Sequence, residues 1–273
     1  MRVLRDVVAL EPDVVFFSHT INDGSRDTRR NMESVVRTLM EMDNPPYIIF
    51  TRSTNQNLTQ SNGYGNQVAD FYNLPLIDDL EAYKAVLAET GKPVGDFFSD
   101  GTHPNAAGYQ IIVDEVIRCI ESGRYYHKPT MRSDKLMENS GAIAEMNFIS
   151  ATNSNTVKLS GKWQTGSDYV HSSTVGDTMT INFTGDIFAF EYGLHNDAGN
   201  IEVRVVGNLV KTFDVHYVDQ TGYQRVCKDN SALFDLDYGE HTVELKMVPG
   251  PKSPSGNIQN RFFTIMTGSW VQE

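Results

Sequence analysis

The period of the apolar residues changes partway along this chain, and no other feature of the sequence limits its fold as much. Up to about residue 122, short apolar runs of strand length alternate with stretches of helical period. Beyond about residue 150 only strand-length runs remain, separated by turn residues. A chain of 273 residues is also too long for one small core. Two domains of different class are therefore expected: 1–122 α/β, 123–150 a linker, and 151–273 all-β.

In the first part, Asp13 to Ser18 (DVVFFS) is a continuous apolar run, as in a parallel strand buried on both faces. Asp27 can cap the helix that follows, whose stripe is Met32, Val35, Val36, Leu39 and Met40. Asn44-Pro45-Pro46 ends that helix, and Tyr47 to Phe50 is the next strand. A helix over Gly65 to Tyr72, a strand over Leu74 to Ile77 and a helix over Leu80 to Glu89 follow. The last helix, Ala106 to Glu121, carries Tyr109, Ile112, Val113, Val116 and Ile120 along one side. Such alternation predicts a parallel sheet between two layers of helices.

Residues 123–150 mix Gly, Pro, Ser and charge, with a short helix expected near Asp134 to Glu138. Strands are expected at Thr178–Phe183, Ile187–Tyr192, Ile201–Val206, Val210–Val215 and Thr242–Val248. Turn pairs such as Gly185-Asp186 and Gly207-Asn208 separate them, which indicates a β-sandwich or jelly roll.

Two segments of the first part carry chemistry. One, Ser18-His19-Thr20-Ile21-Asn22-Asp23-Gly24, directly follows the first strand. The other, Asp100-Gly101-Thr102-His103-Pro104-Asn105-Ala106-Ala107-Gly108-Tyr109, leads into the last helix. Both can sit at the carboxyl edge of the sheet, where open α/β sheets bind ligands. Each has an ordinary reading on its own: Asn-Asp-Gly is a common turn, and Asp-Gly-Thr-His-Pro a serviceable helix entry. Their combination and order argue for more. Three-residue spacing on a tight loop lets Asp100 reach one ring nitrogen of His103 while the other faces a substrate. An Asn amide at a strand end can donate to a developing oxyanion.

On these residues the chain resembles the SGNH/GDSL hydrolases, over roughly residues 1–122. Asp100, His103, Pro104, Gly108 and Tyr109 match the family's Asp-x-x-His motif, and Thr20-Ile21-Asn22-Asp23 its Gly-x-Asn-Asp motif with Thr for Gly. The resemblance implies a flavodoxin-like three-layer α/β/α fold and a serine esterase acting on an O-acylated carbohydrate or another ester. In it His103 is the base, Asp100 its orienter and Asn22 an oxyanion donor, with no cofactor and no metal. The all-β part is similar to jelly-roll domains that accompany carbohydrate esterases and phage tail proteins.

One departure from the family is large. No Gly-Asp-Ser precedes Asn22, and the first Gly of the chain is Gly24. The family's first strands and its nucleophile are thus expected to be missing, and Ser18 stands too close to Asn22 to replace the latter. Three readings stay open: an upstream polypeptide or other subunit completing the sheet, a shortened chain, or a hydrolase-derived scaffold for structure or glycan binding. A sheet without its first strands would expose an unpaired edge and apolar surface.

The remaining features mostly exclude. A net charge of −12 with no cluster of Lys and Arg argues against nucleic acid as partner. No apolar run reaches the roughly 20 residues of a membrane span, and the start does not read as a signal peptide; an extracellular or virion-surface location is compatible with both. Cys119 and Cys227 lie far apart, so no disulfide framework is expected, and His19 and His103 have no third metal ligand nearby. Trp163, Tyr169, Tyr192, Tyr217, Tyr223 and Trp270 are candidates for stacking on sugar rings, with core packing the commoner fate of each.

Overall fold

The computed structural model describes residues 2–18, 26–60, 64–123, 128–137, 140–217, 222, 224–227, 232–233, 236–250 and 259–271. The chain divides into two compact units, the first spanning Arg2–Ile143 and the second beginning at Ala144.

The first unit holds a small parallel sheet of β1 (Val14–Phe17), β2 (Tyr47–Arg52) and β3 (Leu76–Asp78), in that spatial order. Val14 pairs with Tyr47 and Phe17 with Phe50, while Arg52 pairs with Asp78 at the carboxyl edge. Its helices are α1 (Arg2–Asp6), α2 (Arg26–Met40), α3 (Tyr64–Phe71), α4 (Asp79–Thr90) and α5 (Ala106–Glu121). Every strand and helix expected between Asp13 and Glu121 is present within a few positions, since each has its own period and stop signal. Helix α4 starts on Asp78, whose side chain accepts from the Leu80 N–H at 3.0 Å, and ends on Gly91 at φ 65°. Helix α5 is capped by Asn105, which accepts from Ala107 and Gly108, so Pro104 precedes the helix rather than forming its first turn.

β1 differs from expectation. It is not buried on both faces: Phe16 is 43% exposed and Val14 is similarly open. Among the described residues it pairs on one side only, with β2. A matching surface runs along α5. Ile111 and Cys119 are buried and Val116 packs on Ile49 and Ile77, but Tyr109, Val113 and Ile117 form an exposed apolar column.

Of the stretch 123–150, the described residues up to Ile143 belong to the first unit and those from Ala144 to the second. Helix α2 is buried on its polar side as well as on its apolar stripe. There Glu33 accepts the N–H groups of Leu136 and Met137 and the hydroxyl of Tyr72. Arg37 donates to the Tyr72 hydroxyl and to the Arg132 carbonyl, and Thr38 Oγ1 accepts from Ile143. Burying these groups is tolerable because each finds partners. The helix expected near Asp134 does not form over Asp134–Met137. The N–H groups of Leu136 and Met137 are spent on Glu33 instead.

The second unit is a β-sandwich. Its strands are β4 (Ile143–Ser150), β5 (Val157–Ser160), β6 (Gln164–Thr165), β7 (Val170–Ser172), β8 (Thr178–Gly185) and β9 (Ile187–Leu194). They continue with β10 (Asn200–Val205), β11 (Asn208–Asp214), β12 (Gln224–Val226), β13 (Ala232–Leu233), β14 (Gly239–Val248) and β15 (Asn260–Trp270). One antiparallel sheet runs β11-β10-β14-β8-β5; the other runs β12-β9-β15-β7-β6, with β13 on β9 and β4 on β15. Met179, Ile181, Val243, Leu245 and Met247 alternate inward from the first sheet against Phe188, Phe190, Tyr192, Phe262 and Ile265 of the second. Val206, expected at a strand end, lies instead in the turn with Gly207, at φ 49°. The longest strand, β15, was not expected at all. Both of its faces are covered, so its sequence lacks the alternation that marks a half-buried strand.

Candidate active site

The carboxyl ends of β2 and β3 build the edge on which the candidate site sits. After α4, a 3-10 turn (Val94–Phe97) leads into the segment 98–105 and then α5. This segment closes on itself: Ser99 N–H donates to the His103 carbonyl at 2.8 Å, and Asn105 N–H to the Phe97 carbonyl at 3.0 Å. Beneath it, Phe97 and Phe98 pack with Tyr83 and Ile111, the Tyr83 and Phe98 rings lying 5.3 Å apart. Gly108 is required by close approach, because a Cβ there would stand 2.1 Å from the Phe97 carbonyl oxygen.

Asp100 and His103 are brought together by this turn. Oδ1 of Asp100 accepts the N–H groups of Thr102 and His103 at 2.7 and 2.8 Å, and Oδ2 lies 2.8 Å from His103 Nδ1. The backbone and ring hydrogen bonds from His103, with that from Thr102, hold the Asp100 carboxyl down at about 2. Its ionised form accepts from Nδ1–H, which leaves the lone pair on Nε2. Both side chains are open, Asp100 56% and His103 70% exposed, so Nε2 is accessible. A histidine held in this tautomer by a carboxylate can take a proton from a hydroxyl and return it to a leaving group.

The other sequence candidates fare differently. Asn22, with His19, Thr20, Ile21, Asp23 and Gly24, lies outside the described residues. Ser18 is exposed directly after β1. Among the described residues no group of His, Cys, Asp and Glu is arranged to hold a metal, and no helix is long and apolar enough to cross a membrane. In the sandwich, Tyr192 is core and Trp163 packs against Phe262, while Tyr169 is covered by the Arg261 guanidinium at 4.4 Å. Trp270 is partly buried, Tyr217 is exposed, and Tyr223 lies outside the described residues. A groove of about 560 Å³ is lined by Phe183, Val206, Glu240, His241 and neighbouring polar residues.

Sequence reasoning overlooked the loop 53–60 and the residues at its base. The Gln56 N–H donates to the Gly101 carbonyl at 3.1 Å, tying that loop to the His103 turn. Below it, Asp79 is 3% exposed and its Oδ2 accepts the Thr54 N–H at 3.2 Å. Asp79 Oδ1, Thr54 Oγ1 and Arg52 Nε are buried without partners among the described residues. Burial, with Asp78 beside it, pushes Asp79 up to about 7 against the pull of the Thr54 N–H and Arg52. The sole sequence hint was an acidic doublet, Asp78-Asp79, directly after a strand.

No protein-family model matches the chain, and no curated protein matches it. Solved structures do. A two-domain esterase active on acetylated mannans, crystallised with mannopentaose, aligns with 100% of this chain and 76% of its own at a TM-score of 0.72 and 16% identity. A second structure of a two-domain esterase active on acetylated mannans aligns over 100% of this chain and 77% of its own, again at 0.72 and 16%. The small parallel sheet with its helices, followed by antiparallel sheets, is thus the fold of a two-domain esterase.

Proposed function

We propose that this chain is the larger part of an SGNH/GDSL-type ester hydrolase that deacylates an O-acylated glycan, with its nucleophilic serine supplied from outside this sequence. The observation that carries the reading is the 2.8 Å contact of His103 Nδ1 with Asp100 Oδ2, at the carboxyl edge of a parallel sheet with Nε2 open. The fold likeness to esterases active on acetylated mannans supports acetylated carbohydrate as the substrate class.

In this reading Nε2 removes the serine hydroxyl proton as the oxygen attacks the acyl carbonyl. Asn22 donates its side-chain amide to the oxyanion that forms, a contribution of about 10²–10³ in rate for a donor of this kind. The imidazolium, held by Asp100, passes its proton to the departing sugar oxygen. Water then repeats the sequence on the acyl-enzyme, releasing the acid and restoring the serine.

The serine-bearing segment adds strands to the open edge of β1 and covers Val14 and Phe16, completing a three-layer α/β/α domain. Among the described residues β1 has a strand on one side only and Val14 and Phe16 are exposed, which favours such completion. The test is to read the DNA upstream of the Met1 codon, co-express any Gly-Asp-Ser frame with this chain, and measure acetate release from acetylated mannan. Release by the pair that is lost in His103→Ala is expected. Absence of such a frame, or unchanged turnover in His103→Ala, overturns the proposal.

A further inference from the structure

We propose that Asp79 is a positioning residue for the Asp100–His103 turn, acting through the loop 53–60, so that the protonation of a buried carboxyl is transmitted to the turn that carries the base. The transmission itself does not depend on the hydrolase reading; its consequence for catalysis rests on that reading.

The path is short and stiff. Asp79 Oδ2 holds the Thr54 N–H, and Thr54 bridges to Gln60 across the loop. Within it Asn55 N–H donates to the Thr59 carbonyl at 3.0 Å, while Asn55 Oδ1 accepts from Asn57 N–H, Thr59 N–H and Thr59 Oγ1. Leu58, held at φ 54° and partly buried, packs against the Tyr83–Phe97–Phe98 cluster. A loop so tied responds to a shift at Thr54 as one body rather than by local bending. Its Gln56 N–H then meets the Gly101 carbonyl, in the middle of the turn.

The same helix holds the other flank. One turn beyond Asp79, Tyr83 donates its hydroxyl to the Gly108 carbonyl at 3.1 Å, in the first turn of α5. Asp79 and Tyr83 therefore brace the His103 turn from both sides, and the Asp79 charge adds to burial in raising Tyr83.

Asp79 is placed to change state. It is almost fully buried, and among the described residues one of its oxygens and the buried Thr54 hydroxyl beside its loop have no partner. Native buried polar atoms are nearly always satisfied, so a group of exceptions at a ligand-binding edge asks for a cause. Only a protonated carboxyl can donate, and only the carboxylate grips the Thr54 N–H with full charge. Among the described residues the charged and titratable groups around it are Asp78 at the end of β3, Arg52 at the end of β2 and Tyr83 on its own helix, with Tyr109 of α5 beyond Tyr83. Burial, with the Asp78 charge, pushes the Asp79 carboxyl up to about 7 against the Thr54 N–H and Arg52.

The experiment is a titration of the whole chain by NMR over about pH 5 to 9, following the Thr54 and Gln56 amides and the Asp79 carboxyl carbon. All three are expected to share one midpoint near the Asp79 value, unchanged in His103→Ala, with the two amide shifts abolished in Asp79→Asn. The proposal is overturned if the Gln56 shift disappears in His103→Ala, survives in Asp79→Asn, or is absent while Thr54 titrates. Should Asp79→Asn fail to fold, the shared midpoint in His103→Ala decides alone. In the completed enzyme, Asp79→Asn is expected to lower kcat and flatten its pH profile at constant KM. Turnover unaffected by His103→Ala would sink the hydrolase reading while leaving the transmission intact.

Discussion

Glu33 of α2 accepts the backbone N–H of Met137 at 2.7 Å across 104 positions of sequence, and through it the segment after α5 is fastened to the first unit. The carboxylate also serves Leu136 N–H and the Tyr72 hydroxyl, so its removal strands three donors, two of them in buried hydrogen bonds. Glu33→Ala is therefore expected to cost about 3–5 kcal/mol, the range for breaking a buried charged network. Glu33→Gln, which keeps an acceptor oxygen, should cost markedly less. Denaturant unfolding of the whole chain measures both; equal losses would show that the carboxylate has no special part.

The Asp100–His103 pair predicts a different pattern, with large effects on chemistry and small ones on folding. In the completed enzyme Asp100→Asn should lower kcat by about 10⁴, because an amide in place of the carboxylate favours the wrong ring tautomer. Both side chains lie mostly in solvent, so the melting temperature should barely move. A depressed carboxyl of this kind favours the folded turn above its ordinary value of 3.8, and the benefit fades as the pH falls towards about 2. The Nδ1 proton resonance of His103, followed by NMR, should accordingly persist in mild acid and be lost in Asp100→Asn.

Asp79 shifts the opposite way, and the sign of its stability effect follows. Its folded value of about 7 lies above the ordinary 3.8, so its contribution is complete below that ordinary value and is lost as the pH rises through about 7. Wild type should thus lose melting temperature relative to Asp79→Asn between about pH 4 and pH 8. Parallel curves for the two proteins would mean that the carboxyl ionises at its ordinary value in the folded state.

Gly108→Ala tests how closely α5 must approach the turn. The added methyl would meet the Phe97 carbonyl at 2.1 Å and the Tyr83 hydroxyl at 2.9 Å. Backbone cannot yield as a side-chain tip can, so a loss of about 1–3 kcal/mol is expected. The Gln56 and His103 amide resonances should shift with it; a variant as stable as wild type would show that the turn is looser than its packing implies.

What the sequence by itself determined was local. The helices α2 to α5, the parallel strands and five strands of the sandwich follow from periodicity and stop signals that operate over a few residues. The Asp100–His103 contact belongs with them, because three-residue spacing on a tight turn puts the two groups within reach of each other. Tertiary structure decided what depends on distant partners. Glu33 and Arg37 look like the solvent face of an amphipathic helix until residues 132–137 cover them. Asp79 reads as an ordinary acidic first turn, and only the loop arriving from β2 buries it. β15 carries no alternation because both of its faces are covered, and the α5 stripe contains Tyr109 and Val113, which remain exposed. Periodicity encodes which side of an element is apolar; which side is covered depends on the surfaces that meet it in space.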